Sequence, residues 1–336
     1  MFDTCLEFLR ASKNFKKFRV TPQNILIIGG SGFLGSQLAW QLTKDGHFLR
    51  LPTRRRERVK HLLTLPTSEV IEANVHDPTQ LEALVAGQDA IISMVGILRG
   101  GTGHPYGAGF ARAHVELPRK IAAVAQAAGV RRVIHVSALK AAADAPSGYL
   151  RSKAAGEKVL QEAGLDLTIF RPSVIFGPGD QFLNVFASLL KALPFLPLAC
   201  PNARFQPIWV EDVAACIASS LTQPGSIGQT YELCGPSRYT LRHLVNYVGK
   251  VIGERRPILA LTDRLSYLQA LAAEFVPGAP MTRDNYYSMQ LPNVCETGCG
   301  LPFGRTSTAM EVIAPAYLTD QRGRAGNDAL RKKAGR

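Results

Sequence analysis

The sequence of 336 residues has no uninterrupted apolar stretch near the ~20 residues that a membrane-spanning helix needs. Its most apolar patch, "ALPFLPLAC" at 192–200, is short and holds Pro194 and Pro197, so no transmembrane helix is expected. Acidic residues are scarce, with 26 Asp and Glu against 39 Lys and Arg and a net charge of +13. Such a surplus raises nucleic acid as a partner, and its distribution argues against one. Residues 1–20 carry five cations against Asp3 and Glu7, residues 321–336 carry six against Asp328, and the long middle is left with an ordinary balance. Cysteine is sparse as well. Cys5, Cys200, Cys216, Cys234, Cys295 and Cys299 lack the dense spacing of a disulfide scaffold, and a reducing, cytoplasmic setting is expected. Cys295 and Cys299 form CxxxC without the second Cys pair or His cluster that would complete four zinc ligands, so no metal site is expected. No internal repeat is visible.

What is present is a rhythm. Apolar runs at 25–28, 48–51, 70–75, 90–95, 133–137 and 167–170 alternate with helical patterns at 33–44, 78–86, 110–128 and 149–163. Repeated βα units of this kind build a doubly wound parallel sheet, an α/β fold of Rossmann type. From about 172 the rhythm loosens into Pro- and Phe-rich segments, with a strand near 205–210, a helix after Asp212 and a Thr240-capped helix to Val251. The expected organisation is an N-terminal extension over 1–20, a dinucleotide-binding core over 21–171, a smaller substrate-side lobe interleaved with it over 172–320, and a disordered basic tail over 321–336.

The first unit reads "ILIIGGSGFLG", residues 25–35, where an aliphatic strand drops its side chains as a helix begins. A parallel strand that turns sharply into a helix aims unpaired N–H groups and the positive helix end at one point, and bulky side chains there would keep an anion out. In this GxxGxxG, Gly29 makes the turn, Gly32 admits a pyrophosphate and Gly35 lets the helix pack on the sheet. An NAD site usually places an acid about 20 residues later, where it accepts the ribose hydroxyls. Here the second strand ends in "LPTRRRER" with no acid between Phe48 and Arg56. Guanidinium groups at Arg54 and Arg55 match a 2′-phosphate, so NADP(H) is preferred over NAD(H), the alternative being a solvated basic loop. Asp77 either approaches the adenine edge or caps the helix from 78.

The fifth strand ends at Ser137, and twelve residues later comes "YLRSK", Tyr149 to Lys153. The spacing of four puts both side chains on one helical face. A lysine ammonium favours ionisation of a neighbouring phenol, so Tyr149 can exchange a proton with a substrate oxygen that Ser137 holds.

Together with "RPSVIFGPGD" (171–180) and "FQPIWVEDVA" (205–214), these motifs resemble the extended and atypical short-chain dehydrogenase/reductase superfamily. "YLRSKAAGEKVL" followed by "PSVIFGPGDQFLNVFASL" is similar, more narrowly, to the nucleotide-binding accessory subunit of respiratory complex I and its bacterial relatives. The likeness spans about residues 24–315. It implies that the glycines bind pyrophosphate, that Phe33, Leu34, Val95, Gly96 and Pro172 line the nucleotide, that Tyr149 is the acid/base, that Lys153 holds the nicotinamide ribose and that Ser137 orients the substrate. Superfamily enzymes often carry an asparagine in the helix before the fifth strand as part of a proton relay; this chain offers His114, either as a relay or as a packed helix residue. The subfamily likeness implies a nucleotide held structurally, with respiratory-complex subunits as partners. An active NADP(H)-dependent oxidoreductase on an apolar, quinone- or isoprenoid-like small molecule is the alternative. The second reading draws on Phe176, Phe182, Phe186, Leu189 and Leu190, expected at the substrate mouth or, alternatively, in ordinary packing of a helix on the sheet. Phe2, Cys5, Leu6 and Leu9 share a helical face ahead of a basic cluster, so residues 1–20 are a candidate for peripheral contact with the inner membrane.

Overall fold

Ile25, Leu26, Ile27 and Ile28 lose all contact with solvent because β1 (Asn24–Ile28) runs through the middle of a seven-stranded parallel sheet. The computed structural model describes residues 21–276, 281–296 and 300–319; the N-terminal arm, the basic tail and Cys299 lie outside them. The other strands are β2 (Phe48–Thr53), β3 (Ser68–Glu72), β4 (Ala90–Ser93), β5 (Arg132–Val136), β6 (Asp166–Pro172) and Thr230–Leu233. Across the sheet the order is β3, β2, β1, β4, β5, β6, then Thr230–Leu233. Alternation along β1 sends Ile25 and Ile27 into one apolar layer and Leu26 and Ile28 into the other, as a strand covered on both faces requires.

Helices α1 (Phe33–Lys44), α2 (Pro78–Val85), α3, α4 (Gly148–Gln161), α5 (Leu183–Ala192), α6 (Val210–Leu221), α7 (Leu241–Ile252), α8 (Asp263–Ala273) and α9 (Arg283–Ser288) follow in chain order. The helix α3 is composite: Ala108–Phe110, a π-helical stretch Ala111–Glu116, then Leu117–Ala127. On one face α1 packs on α6, and on the other α3 packs on α2 and α4. Gly156 lets α3 and α4 touch, since a Cβ there would run into the His114 carbonyl. Thr240 caps α7 by accepting the His243 N–H, as its position at the start of that helix predicts.

Of the two readings of the apolar run after β6, the structure takes the packing one. Phe176 and Leu190 are buried in a separate lobe core with Leu244, Val248 and Met310, and Phe182, Phe186 and Leu189 pack against it. These residues are helix-packing groups, because α5 needs an apolar face to lie on α7. Asp180 of "GPGD" organises the turn ahead of α5, accepting N–H groups of Gly177 (3.1 Å) and Phe182 (2.8 Å) and the Tyr317 hydroxyl (2.8 Å). The cysteines depart from expectation: Cys234 and Cys295 form a disulfide, 61 residues apart in sequence, while Cys200 and Cys216 are free. That bond ties residues 281–296 to the sheet edge, where the Asn293 side chain also accepts from Ser173 Oγ at 2.6 Å.

No helix among the described residues is long and apolar enough to cross a membrane.

Candidate dinucleotide and acid/base site

The glycine turn, Arg54, Arg55, Val95, Gly96, Ser137 and Pro172 sit at or just beyond the C-terminal ends of strands, and Lys153 on α4 reaches the carbonyls of Val95 and Val136 there. A parallel sheet puts its crevice there, at the point beside β1 where the strand order reverses.

The turn from β1 to α1 fits a pyrophosphate. Gly29 has φ +95°, in the left-handed region, and a Cβ on it would press on the backbone of Met94 and Val95 at 3.1–3.3 Å. A Cβ on Gly35 would collide with the backbone of Gly29 and Gly30, so this glycine is demanded by packing. Gly32 differs, for the one neighbour a Cβ would meet is the Gly29 carbonyl at 3.3 Å, and the space beyond is open. Gly32 is also the N-cap of α1 and supplies no side-chain cap, so the first N–H groups of Phe33, Leu34 and Gly35 face that space. This open cradle of amides is the feature that fits a dinucleotide.

On the next strand Gly29 abuts Val95, and Val95 in turn meets the acid/base helix. Lys153 Nζ donates to the carbonyls of Val95 (3.3 Å) and Val136 (3.2 Å), and Gly96 leaves room for it. Burial lowers the pKa of Lys153 to about 8, with Glu157 opposing. Tyr149, one turn earlier, is packed edge-on against Phe110 and His114. The phenol is not lowered by the lysine. Burial first, and the Asp284 carboxylate next, push it up to about 12, while the Lys153 ammonium is bonded to two carbonyls.

His114 is saturated. Its Nε2 accepts the Ile97 N–H at 3.1 Å, which leaves the proton on Nδ1, 2.9 Å from Ser152 Oγ. The Ser152 hydroxyl in turn donates to the Tyr149 carbonyl at 2.7 Å. Burial, followed by Lys153 and His135, holds the pKa of His114 at about 2, so the ring stays neutral. The π-helical stretch carries it into this position. Ser137 directly follows β5, its hydroxyl buried and without a hydrogen bond among the described residues. Pro172 ends β6, and its carbonyl accepts the N–H of Leu139, two residues beyond Ser137.

Arg54 and Arg55 follow β2 and are exposed, with no side-chain hydrogen bond given to either among the described residues. Asp77 is a helix cap: its oxygens accept from the Gln80 N–H and side-chain amide, each at 3.2 Å.

The sequence reading missed two partners of the site. Asp284, on α9, accepts the N–H groups of Gly148 (2.7 Å) and Tyr149 (3.1 Å) and so helps to cap α4, and no local pattern announces it. Ser152 lay inside the quoted "YLRSK", three residues after Tyr149, and a reading of helical i, i+3 neighbours would have found it.

A family model described as NAD(P)H-binding matches residues 29–185. The chain is 33% identical over 228 residues to the mitochondrial NADH dehydrogenase (ubiquinone) 1 alpha subcomplex subunit 9 of Rattus norvegicus, covering 66% of this chain and 59% of that one. It therefore spans less than two thirds of that relative's length. A ceramide reductase of Caulobacter vibrioides is 31% identical over 242 residues, with 71% of this chain and 74% of the relative covered. Among solved structures, a nucleoside-diphosphate-sugar epimerase from Staphylococcus aureus shares the fold with a TM-score of 0.68 at 14% identity, over 88% of this chain and 99% of that one. The family model and these likenesses agree: the chain belongs to an NAD(P)-binding protein family that includes the Caulobacter vibrioides ceramide reductase, with a fold shared with a nucleoside-diphosphate-sugar epimerase.

Proposed function

We propose that this protein holds its dinucleotide chiefly as part of its own architecture, in a respiratory-complex or quinone-linked assembly, and that it prefers NADP(H) to NAD(H). The observation that carries the structural role is the saturation of His114. At the helix position where superfamily enzymes often relay a proton, both ring nitrogens are committed, to Ile97 and to Ser152, and burial keeps the ring neutral. The partner on Nε2 is a backbone amide with no proton to hand on, which supports a packed ring over a relaying one. The relative from Rattus norvegicus, named as a subunit of NADH dehydrogenase (ubiquinone), supports the same reading. The cofactor preference rests on charge. Arg54, Arg112 and Lys120 all act on His76, whose pKa is lowered by burial first and by these cations next, with Glu116 opposing. That end of the crevice suits a 2′-phosphate better than a ribose diol.

A second reading, a reductase of apolar small molecules, is favoured by the unbonded Ser137 hydroxyl and by a cavity of about 600 Å³ at the start of α4. Leu98, Phe110, Arg151, Phe275 and Tyr287 are among the residues that line it. In that reading a bound nicotinamide supplies the hydride. Tyr149, kept protonated at neutral pH by its raised pKa, gives its proton to the substrate oxygen; Ser137 orients that oxygen, and Lys153 holds the ribose.

Tyr149→Phe separates the two. Under the structural role it leaves nucleotide occupancy, growth and respiratory activity unchanged. Under the reductase role it lowers the maximal rate by roughly 100-fold at unchanged nucleotide affinity. A respiratory defect in Tyr149→Phe at full occupancy and normal protein level would overturn the structural assignment.

A further inference from the structure

The charges around the cavity at the start of α4 are not evenly committed. Its wall is made by the 98–107 loop, by Phe110 of α3, by Phe275 in the segment after α8 and by Tyr287 of α9. The loop lies close on the Phe110 ring, where a Cβ on Gly100 would collide with it. Phe110 itself is buried and packs edge-on against Tyr149 with ring centroids 6.1 Å apart, so the cavity adjoins the acid/base pair. Leu98 and Phe275 keep 56% and 82% of their surface exposed beside it, which leaves the same cavity with an apolar rim.

Five charged side chains line this cavity, those of Arg99, Arg151, Arg283, Glu274 and Asp284. Arg283 is paired with Glu274, Nη2 lying 2.9 Å from a carboxylate oxygen. Arg151 donates to the carbonyls of Pro105 (2.7 Å), Ala145 (2.6 Å) and Pro146 (2.9 Å), and its charge acts on Asp284, which accepts the first N–H groups of α4. Arg99 remains. It is exposed and has neither a hydrogen bond nor an ion pair among the described residues, so the lining holds one cation in excess and that cation is uncommitted.

We propose that the cavity binds a single-chain amphiphile with one anionic headgroup, a carboxylate or a phosphate monoester. The chain lies against Leu98, Phe110, Phe275 and Tyr287, where it removes apolar surface from water, and the headgroup lies on Arg99, whose planar guanidinium receives either anion through paired N–H groups. A sugar-like ligand would find few open partners, since the other four charged groups are already bonded within the wall, and a cationic ligand would meet the surplus positive charge. The proposal shares with the reductase reading the position beside Tyr149 and holds whether or not hydride is transferred.

The test is calorimetry on the full-length protein, with and without NADPH, using decanoate, decyl phosphate, decanol, decyltrimethylammonium and acetate, each below any micelle-forming concentration. Four proteins are compared: the parent, Arg99→Ala, Leu98→Ser/Phe275→Ser, and a control, Arg119→Ala, at an exposed position on α3. Thermal unfolding confirms that each is folded. The parent is expected to bind decanoate or decyl phosphate at least about tenfold more tightly than the other three ligands, and the tighter of the two identifies the headgroup. Arg99→Ala should bring the anions down to the affinity of decanol, the double variant should weaken every decyl ligand, and the control should bind like the parent. The proposal is overturned if the parent binds decanol or acetate as tightly as the long-chain anions, if Arg99→Ala binds like the parent, or if the control loses as much. Binding is read without turnover, so a Tyr149→Phe assay that removes the reductase reading leaves this result intact, and anions that fail to bind leave the reductase reading with a neutral substrate.

Discussion

Asp284 holds the helix of Tyr149 from the far side of the site: its carboxylate accepts the Tyr149 N–H at 3.1 Å and the Gly148 N–H at 2.7 Å, across 135 residues of sequence. One carboxylate thus fixes the start of the acid/base helix and raises the phenol above it.

Asp284→Ala is expected to destabilise the protein by about 1 kcal/mol, the usual loss for a helix cap, and to lower the Tyr149 pKa from about 12 toward the ordinary phenol value. Tyrosine-selective NMR titration beside chemical denaturation checks both. A Tyr149 titration unmoved by the substitution would show that Asp284 acts on the backbone alone.

The three glycines of the cradle should separate by role. Gly35→Ala forces a Cβ into the Gly29 backbone and should destabilise the protein with or without nucleotide. Gly32→Val points into open space, so the free protein should lose little, while the stabilisation that added dinucleotide confers should vanish. Melting temperatures with and without NADPH read the difference.

Cofactor selectivity is the third expectation. Arg54→Ala and Arg55→Ala should each weaken NADPH binding by about 1.5–3 kcal/mol, the value of a charge-assisted hydrogen bond, and leave NADH nearly unaffected. Calorimetry on the parent and both variants is decisive, since equal NADPH and NADH affinities in the parent leave the arginines without a selective role.

Acid should loosen the fold through its buried imidazoles. His114 and His135 have folded pKa values of about 2 and about 3, burial being the main cause in each. Both lie below the unfolded value of 6.5, so the unfolded chain binds protons first as pH falls. Their stabilising contribution is complete above pH ~6.5 and erodes below it, by about 2 kcal/mol per histidine at pH 5. Urea denaturation at pH 7 and pH 5 should show that fall, and His135→Phe should reduce it by its own share if the substitution folds.

Much of the fold is legible because its signals are local. Strand β1, the glycine turn and α1 are contiguous in sequence, and the strand's continuous apolar run states that both its faces are covered. Tyr149 and Lys153 are likewise one helical turn apart, and Asp77 and Thr240 announce helix starts within four residues.

The apolar run 176–198 shows where local reasoning stops. Its pattern declares a face that must be buried, and the declaration is the same for a substrate mouth as for a lobe core. What covers the face depends on α7 and the helix over 310–319, and these come from chain far away.

By itself, then, the sequence determined the parallel βα architecture, the glycine turn that opens the first helix and the Tyr149–Lys153 pairing on one helical face, since each rests on periodicity or spacing within one or two neighbouring elements. Only the tertiary structure decided that His114 is closed by Ile97 and Ser152, that Cys234 meets Cys295, and that Asp284 sits on the Tyr149 helix. Hydrogen bonds and disulfides form between groups brought within a few ångströms. For partners that lie in different elements, that distance is set by packing, which side-chain type and spacing along the chain do not encode.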